Sequence, residues 1–238
     1  MVETRTRWGA RAAALYTDAY AERYRAHDEA IRDSDTVARF DRWLRGVCRR
    51  FDRPIDALDL GCGTGRFFHA LTNVRRLVGI DVSAAMLDRA RRPVGGSAAE
   101  ETTLVEADFL TYDFGADQFD LVYAVGVLAE HSPLDAAIAG RVARWLRRGG
   151  RLALTAVHVE SPSIPKTMIR RIAEAAAAAP FLPAAARRAI RRRLMAGGLY
   201  ADESHVRAVL TAAGLVVESI EPFESDVHRH LLVVARRP

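Results

Sequence analysis

The 238-residue chain is short of cysteine, of lysine and of long apolar stretches. Its two cysteines, Cys48 and Cys62, make neither a metal cluster nor a disulfide framework. No apolar run approaches the roughly 20 residues that a bilayer-crossing helix needs, so no transmembrane segment is expected. Residues 1–7 lead into Trp8 and a charged helical pattern, without the apolar centre of a secretory signal, and cytoplasmic residence is the expectation. The single lysine, Lys166, stands beside 34 arginines. Such a skew, in an alanine-rich chain, reflects coding bias as readily as ligand choice. The net charge of +5 favours an acidic substrate or an anionic surface without requiring nucleic acid.

What is present is a folded-protein composition, 50% hydrophobic and 27% charged, enough for one domain with a full core. Two N-terminal helices are expected, over 8–32 and 36–50. The first carries Tyr16, Tyr20 and Tyr24 on one face. Strands follow at 55–60, 77–80, 103–107, 119–124 and 151–157. Helices are expected at 66–71, after Ser83, and at 134–146, with a tight turn at Arg148-Gly149-Gly150. This alternation predicts a mostly parallel α/β sheet. Residues 159–200 break the rhythm with two expected helices, 166–179 and 183–196. They read as an insertion on a single domain spanning 1–238, being too short for a core of their own. A helix over 202–212 and strands at 215–220 and 228–235 close the chain.

The chemistry concentrates at Asp59-Leu60-Gly61-Cys62-Gly63-Thr64-Gly65 and at Asp81. Glycines at 61, 63 and 65 let the backbone turn sharply and approach a ligand. A dinucleotide fold wants a third small residue at position 66, where this chain has Arg66. No Gly-Lys-Ser/Thr follows, which removes a phosphate-loop ATPase. Asp81 lies 20 residues beyond Gly61, the spacing of a ribose-binding acid. The pattern asks for an adenosine-like ligand without demanding a pyrophosphate.

These residues resemble the class I S-adenosylmethionine-dependent methyltransferases. Residues 59–65 look like that family's first motif, Glu106-Ala107-Asp108-Phe109 its adenine-contacting motif, and residues 119–124 and 146–152 its fourth strand and the turn into its fifth. The resemblance implies a Rossmann-like seven-stranded, mostly parallel sheet with its last strand antiparallel, N-terminal helices over 1–50 acting as a cofactor lid, and S-adenosylmethionine as cofactor. It implies that Gly61, Gly63, Gly65, Asp81 and the adjacent Val82 bind the cofactor, with Asp81 on the ribose. Asp108 matches the adenine amine contact, and Met86 and Phe109 flank the ring. Asp59 either bonds loop amides or orients the methionine portion. Tyr20 or Tyr24 folds over the cofactor, and Arg11 meets the methionine carboxylate.

The acceptor is less legible. Ligands of an open α/β sheet collect beyond the carboxyl ends of its strands, which puts 126–131 and 157–160 at the reaction zone. His131 and His158 are the expected catalytic bases there, and Glu224, Asp226 and His228 the hairpin residues nearby. The chain after strand four lacks the Asn/Asp-Pro-Pro-aromatic pattern of the family's nucleic-acid and glutamine-methylating branches. It also lacks the carboxylate pairs of the divalent-metal branch. The reading is metal-independent methylation of a small molecule, an acidic one suiting the charge, by a monomer or homodimer with no stable nucleic-acid partner. An RNA or protein methyltransferase, or a noncatalytic binding module, is the alternative. Arg187, Arg188, Arg191, Arg192 and Arg193 make the insertion a substrate lid, a surface-binding element or a solvated helix face.

Overall fold

The computed structural model describes residues 14–162, 179, 182–186, 200–225 and 228–238. Seven strands form one sheet in the order β3-β2-β1-β4-β5-β7-β6. They are β1 (Ile55–Leu60), β2 (Val74–Asp81), β3 (Glu101–Glu106), β4 (Phe119–Ala124), β5 (Leu146–Val157), β6 (Val216–Glu224) and β7 (Arg229–Arg236). The first five are parallel, while β7 runs antiparallel to both β5 and β6. The sheet grows outward from β1 to β3, then the chain returns to place β4 on the other side of β1. That reversal opens a crevice beyond the carboxyl ends of β1 and β4.

Among the described residues, five helices flank the sheet: α1 (Asp18–Ile31), α2 (Asp35–Cys48), α3 (Ala84–Ala90), α4 (Ala136–Trp145) and α5 (Glu203–Ala212). Each starts where a side-chain oxygen accepts an otherwise unpaired amide. Thr17 serves α1, Ser34 serves α2, Ser83 serves α3, Asp135 serves α4 and Asp202 serves α5. Every residue of β1 and β4 is buried, as strands covered on both faces must be. Leu58, Leu60, Val122 and Leu154 pack with Ile138, Trp145 and Leu210 on one face. Ile55, Ala57, Leu121 and Tyr123 pack with Phe40, Leu44, Val47 and Phe68 on the other. Burying one of these large side chains stabilises the fold by about 1.5–3 kcal/mol.

At the amino-terminal edge, away from the crevice, Asp56 and Asp120 are tied down by arginines. Asp120 accepts from the Asp56 amide at 3.0 Å and from Arg53 and Arg147 at 2.7 Å each. Asp56 accepts from Arg75 at 2.8 Å and Arg147 at 2.9 Å. Despite burial, these arginines hold both carboxyls below the usual aspartate range. Part of the arginine excess is therefore structural.

Three local expectations need correction. The helix expected over 66–71 is a single 3-10 turn, Phe68–Ala70. Only thirteen residues separate the end of β1 from the start of β2. The glycine loop uses the first of them, and Asn73 at φ 65° turns the chain back, leaving no room for a longer helix. The helix expected over 8–32 is interrupted at Tyr16-Thr17, because Ser83 Oγ donates to the Tyr16 carbonyl at 2.7 Å and Thr17 starts α1 afresh. Finally, Arg148-Gly149-Gly150 lies inside β5 rather than before it. Gly149, at φ 78°, donates to the Arg237 carbonyl at 2.8 Å, so pairing with the end of β7 continues through the irregularity. The helices expected at 166–179 and 183–196 fall almost wholly outside the described residues.

Candidate active site

The glycine loop leaves β1 with Gly61 at φ 66° and Gly63 at φ 54°, left-handed conformations that disfavour any side chain. Space is tight as well. A Cβ on Gly61 would lie 2.9 Å from Val127 Cγ2, and one on Gly63 would lie 3.3 Å from Met86 Cε. Gly65, at φ 76°, completes the loop.

Asp81, at the end of β2, organises this loop. Its Oδ2 accepts the Gly63 amide at 3.0 Å and its Oδ1 the Ser83 amide at 2.9 Å, while the Val82 amide also faces it. Burial raises its carboxyl despite those donors. Asp59 stands opposite Tyr123 in the β1–β4 register. Desolvation, reinforced by the charge of Asp81, pushes its carboxyl well above the ordinary range. Among the described residues, neither acid has a basic partner. Two buried carboxyls at one loop, with no cation set against them, suit a ligand that brings hydroxyl donors and positive charge. S-adenosylmethionine carries both, in its ribose and its ammonium and sulfonium groups.

Asp108 follows β3, and its Oδ1 accepts the Leu110 amide at 2.8 Å, a local turn that sets the direction of Phe109. Phe109 and Met86 are buried, Met86 over Gly63 and Phe109 against Val78 and Ile80. Val82 is half-buried between Asp81 and the Ser83 cap.

Helix α1 closes over the loop through contacts that the sequence pattern does not announce. The buried Asp28 accepts from the Thr64 hydroxyl and from Arg66 Nε, the latter at 2.6 Å. The Arg66 guanidinium lies 4.9 Å from the centre of the Tyr24 ring. Tyr24 stacks on Tyr20 at 6.0 Å, and Tyr20 meets Tyr16 edge-on at 4.9 Å. Burial raises the Tyr24 phenol, and the Tyr16 phenol as well. Arg66, too large for a dinucleotide loop, thus ties α1 to the glycine loop. Its size at that position was the only hint in the sequence. Arg11 lies outside the described residues.

Beyond β4, Gly126 at φ 71° donates its amide to the buried Thr155 hydroxyl at 2.8 Å. This Thr155 contact, from the neighbouring β5, is a second one the sequence pattern conceals. The turn carries Glu130 and His131 to the crevice side. The His131 side chain is 58% exposed, and its Nε2 lies 3.6 Å from Glu130 Oε1. His158, just past β5, donates its amide to the Arg229 carbonyl at 2.8 Å, and its Nδ1 accepts the Glu160 amide at 3.2 Å. Glu224 pairs with Arg229 at 2.7 Å, and His228 meets His230 edge-on. Asp226 lies outside the described residues. Among the described residues, no three His, Cys, Asp or Glu side chains gather as a metal site.

Residues 57–150 match the sequence model of a family described as "Methyltransferase domain". They span the glycine loop, Asp81, Asp108 and β4. These residues are a methyltransferase domain on the fold of the class I S-adenosylmethionine-dependent methyltransferases. A trans-aconitate 2-methyltransferase of Methylobacterium nodulans is 34% identical over 169 residues, 69% of this methyltransferase chain and 59% of that protein. A malonyl-[acyl-carrier protein] O-methyltransferase of Legionella pneumophila is 39% identical over 98 residues, 40% of this chain and 32% of that protein. The chain therefore spans less than two thirds of either relative. The magnesium protoporphyrin IX methyltransferase of Synechocystis PCC 6803, solved with S-adenosylhomocysteine, shares the fold at TM-score 0.66 and 17% identity, covering 97% of this chain and 100% of that one. The N-methyltransferase NodS of Bradyrhizobium japonicum WM9 does so at TM-score 0.61 and 20% identity, covering 92% and 96%. S-adenosylmethionine is the cofactor that this methyltransferase fold is built to hold.

Proposed function

We propose that this methyltransferase moves the methyl group of S-adenosylmethionine to an oxygen or nitrogen of a small molecule, without a metal. The observation that carries the reading is the cradle of buried Asp59 and Asp81 around left-handed Gly61 and Gly63, beside the turn that bears Glu130 and His131. When bound, the cofactor supplies an electrophilic methyl group on a sulfonium. The chain's part is to hold, align and enclose. Asp81 receives the ribose hydroxyls on lone pairs left over from the Gly63 and Ser83 amides. Asp108, Phe109 and Met86 receive the adenine, and Asp59 faces the methionine portion. Tyr20 and Tyr24, on the lid helix clasped by Asp28, keep water from the cofactor.

Alignment of a nucleophile behind the methyl group supplies most of the rate gain, and a base is needed only where the acceptor must lose a proton. His131 and His158, at the carboxyl ends of β4 and β5, are the bases we assign to that task. A small acceptor is supported by the name of one relative, which acts on trans-aconitate, whereas the other is named for a malonyl group carried on a protein. The net charge of +5 suits an acidic acceptor of that kind.

Calorimetry with S-adenosylhomocysteine tests the cofactor half. Asp81→Ala is expected to weaken binding by about 10–100-fold, the worth of one or more charge-assisted hydrogen bonds. Radiolabelled S-adenosylmethionine with size-separated cell extract tests the acceptor half. Label in the small-molecule fraction is expected, and label confined to RNA or protein would refute it.

A further inference from the structure

Among the described residues, Glu130 has one ion-pair contact, to its neighbour His131. Its side chain is 17% exposed, and Oε1 comes no nearer than 3.6 Å to His131 Nε2. The other oxygen, Oε2, is shielded from solvent and has no hydrogen-bond partner among the described residues. It is aimed at the turn that follows β4, where a Cβ on Gly126 would lie 3.9 Å away. Tyr16 and Tyr24 of the lid region are both near enough to feel its charge. A shielded carboxylate oxygen without a donor is a cost that a merely structural residue would avoid.

The topology says what would remove that cost. Strand order β2-β1-β4 lines up Asp81, the glycine loop and Glu130 along one edge of the sheet. The loop and the Glu130 turn touch, since Gly61 fits directly beneath Val127. A ligand with its ribose at Asp81, running across the loop, ends at the Glu130 turn. That end is the reacting end.

We propose that the Glu130 carboxylate binds a cationic group at the reacting end of the site. This rests on the methyltransferase reading and adds a charge requirement to it. Three groups share the chemistry: the cofactor's sulfonium, its ammonium, and a protonated amine on the acceptor. Each supplies the positive charge that Oε2 lacks. Each also leaves Asp81 free for the ribose.

Glu130→Gln, which keeps the shape and removes the charge, separates the three. Calorimetry compares S-adenosylmethionine with S-adenosylhomocysteine, which keeps the ammonium but has a neutral sulfur. A tenfold or greater loss for S-adenosylmethionine alone identifies the sulfonium, and an equal loss for both identifies the ammonium. With both affinities kept, a tenfold loss of label transfer into small molecules retained by a cation exchanger identifies an acceptor amine. Ligand-free Glu130→Gln is expected to melt no lower than the wild type, because a shielded carboxylate oxygen without a donor has been replaced by part of a neutral amide. Glu130→Leu, of similar length and without polar atoms, repeats the comparison should the glutamine variant fold poorly. If all three readouts stay within twofold of wild type, the proposal is overturned and the cofactor reading stands. If the wild type binds neither cofactor form, both fall together.

Discussion

Asp28 of α1 and Arg66 of the glycine loop are joined by an ion pair of 2.5 Å. The two residues are 38 positions apart, and the pair fastens α1 to the glycine loop. Thr64 donates to the same carboxylate, and the Arg66 guanidinium lies over Tyr24, so acid, loop and aromatic ring form one unit.

Removing the acid should therefore disturb stability and cofactor affinity together. Asp28→Ala leaves the Thr64 hydroxyl and the Arg66 guanidinium without their acceptor. Loss of one partner of a fully buried pair costs about 3–5 kcal/mol. Arg66 is 23% exposed and keeps its contact with Tyr24, so about 1–3 kcal/mol is expected here. Urea denaturation measures that loss, and calorimetry should show S-adenosylhomocysteine binding about tenfold weaker. Unchanged affinity in a destabilised variant would mean that α1 is not a lid.

Gly61 can be tested against its neighbour. Gly61→Ala must adopt φ near 66° at a cost of about 1–2 kcal/mol and also push Val127 aside. Cofactor binding should fall more than tenfold. Adding Val127→Ala opens the space without relieving the backbone, so the double variant should recover part of the affinity and not all of it. Full recovery would show that the clash alone matters, and no loss in the single variant would show that the loop conformation does not matter.

His230 makes stability depend on pH. It is buried between Phe40 and Phe223, and burial, with the neighbouring His228, lowers its pKa from 6.5 to about 4. The unfolded chain therefore takes up this proton near pH 6.5, whereas the folded protein resists until about pH 4. The stability this provides is complete above pH 6.5 and is lost as the pH falls through about 4. Asp56 and Asp120, whose carboxyls are lowered from 3.8, add their own loss only at still lower pH. Urea midpoints at pH 7, 5.5 and 4.5 should decline for the wild type and stay flatter for His230→Phe, which keeps a ring in the stack. Parallel declines in the two proteins would place the titrating group elsewhere.

The strands were the most legible elements. Ile55–Leu60 and Phe119–Ala124 are read correctly to the residue, because each is a buried apolar run bounded by residues that cannot continue it. Helix starts at Ser83 and Asp202 are equally plain, since an oxygen-bearing side chain ahead of an apolar pattern has a local cause. The segment after Gly65 was misread because its pattern permits a helix, and only the distance to β2 forbids one.

The glycine turn and the place of Asp81 at the end of β2 follow from sequence alone, because backbone freedom and strand ends are set over a few residues along the chain. The tertiary structure alone decided which charges are met and which are not. In sequence, Asp28 is one acid among many on a polar helix, yet it is buried against Arg66. Glu130 is equally ordinary in sequence, yet one of its oxygens is sealed off without a donor. Satisfying a buried charge depends on neighbours brought from distant strands and helices, and no local pattern records them.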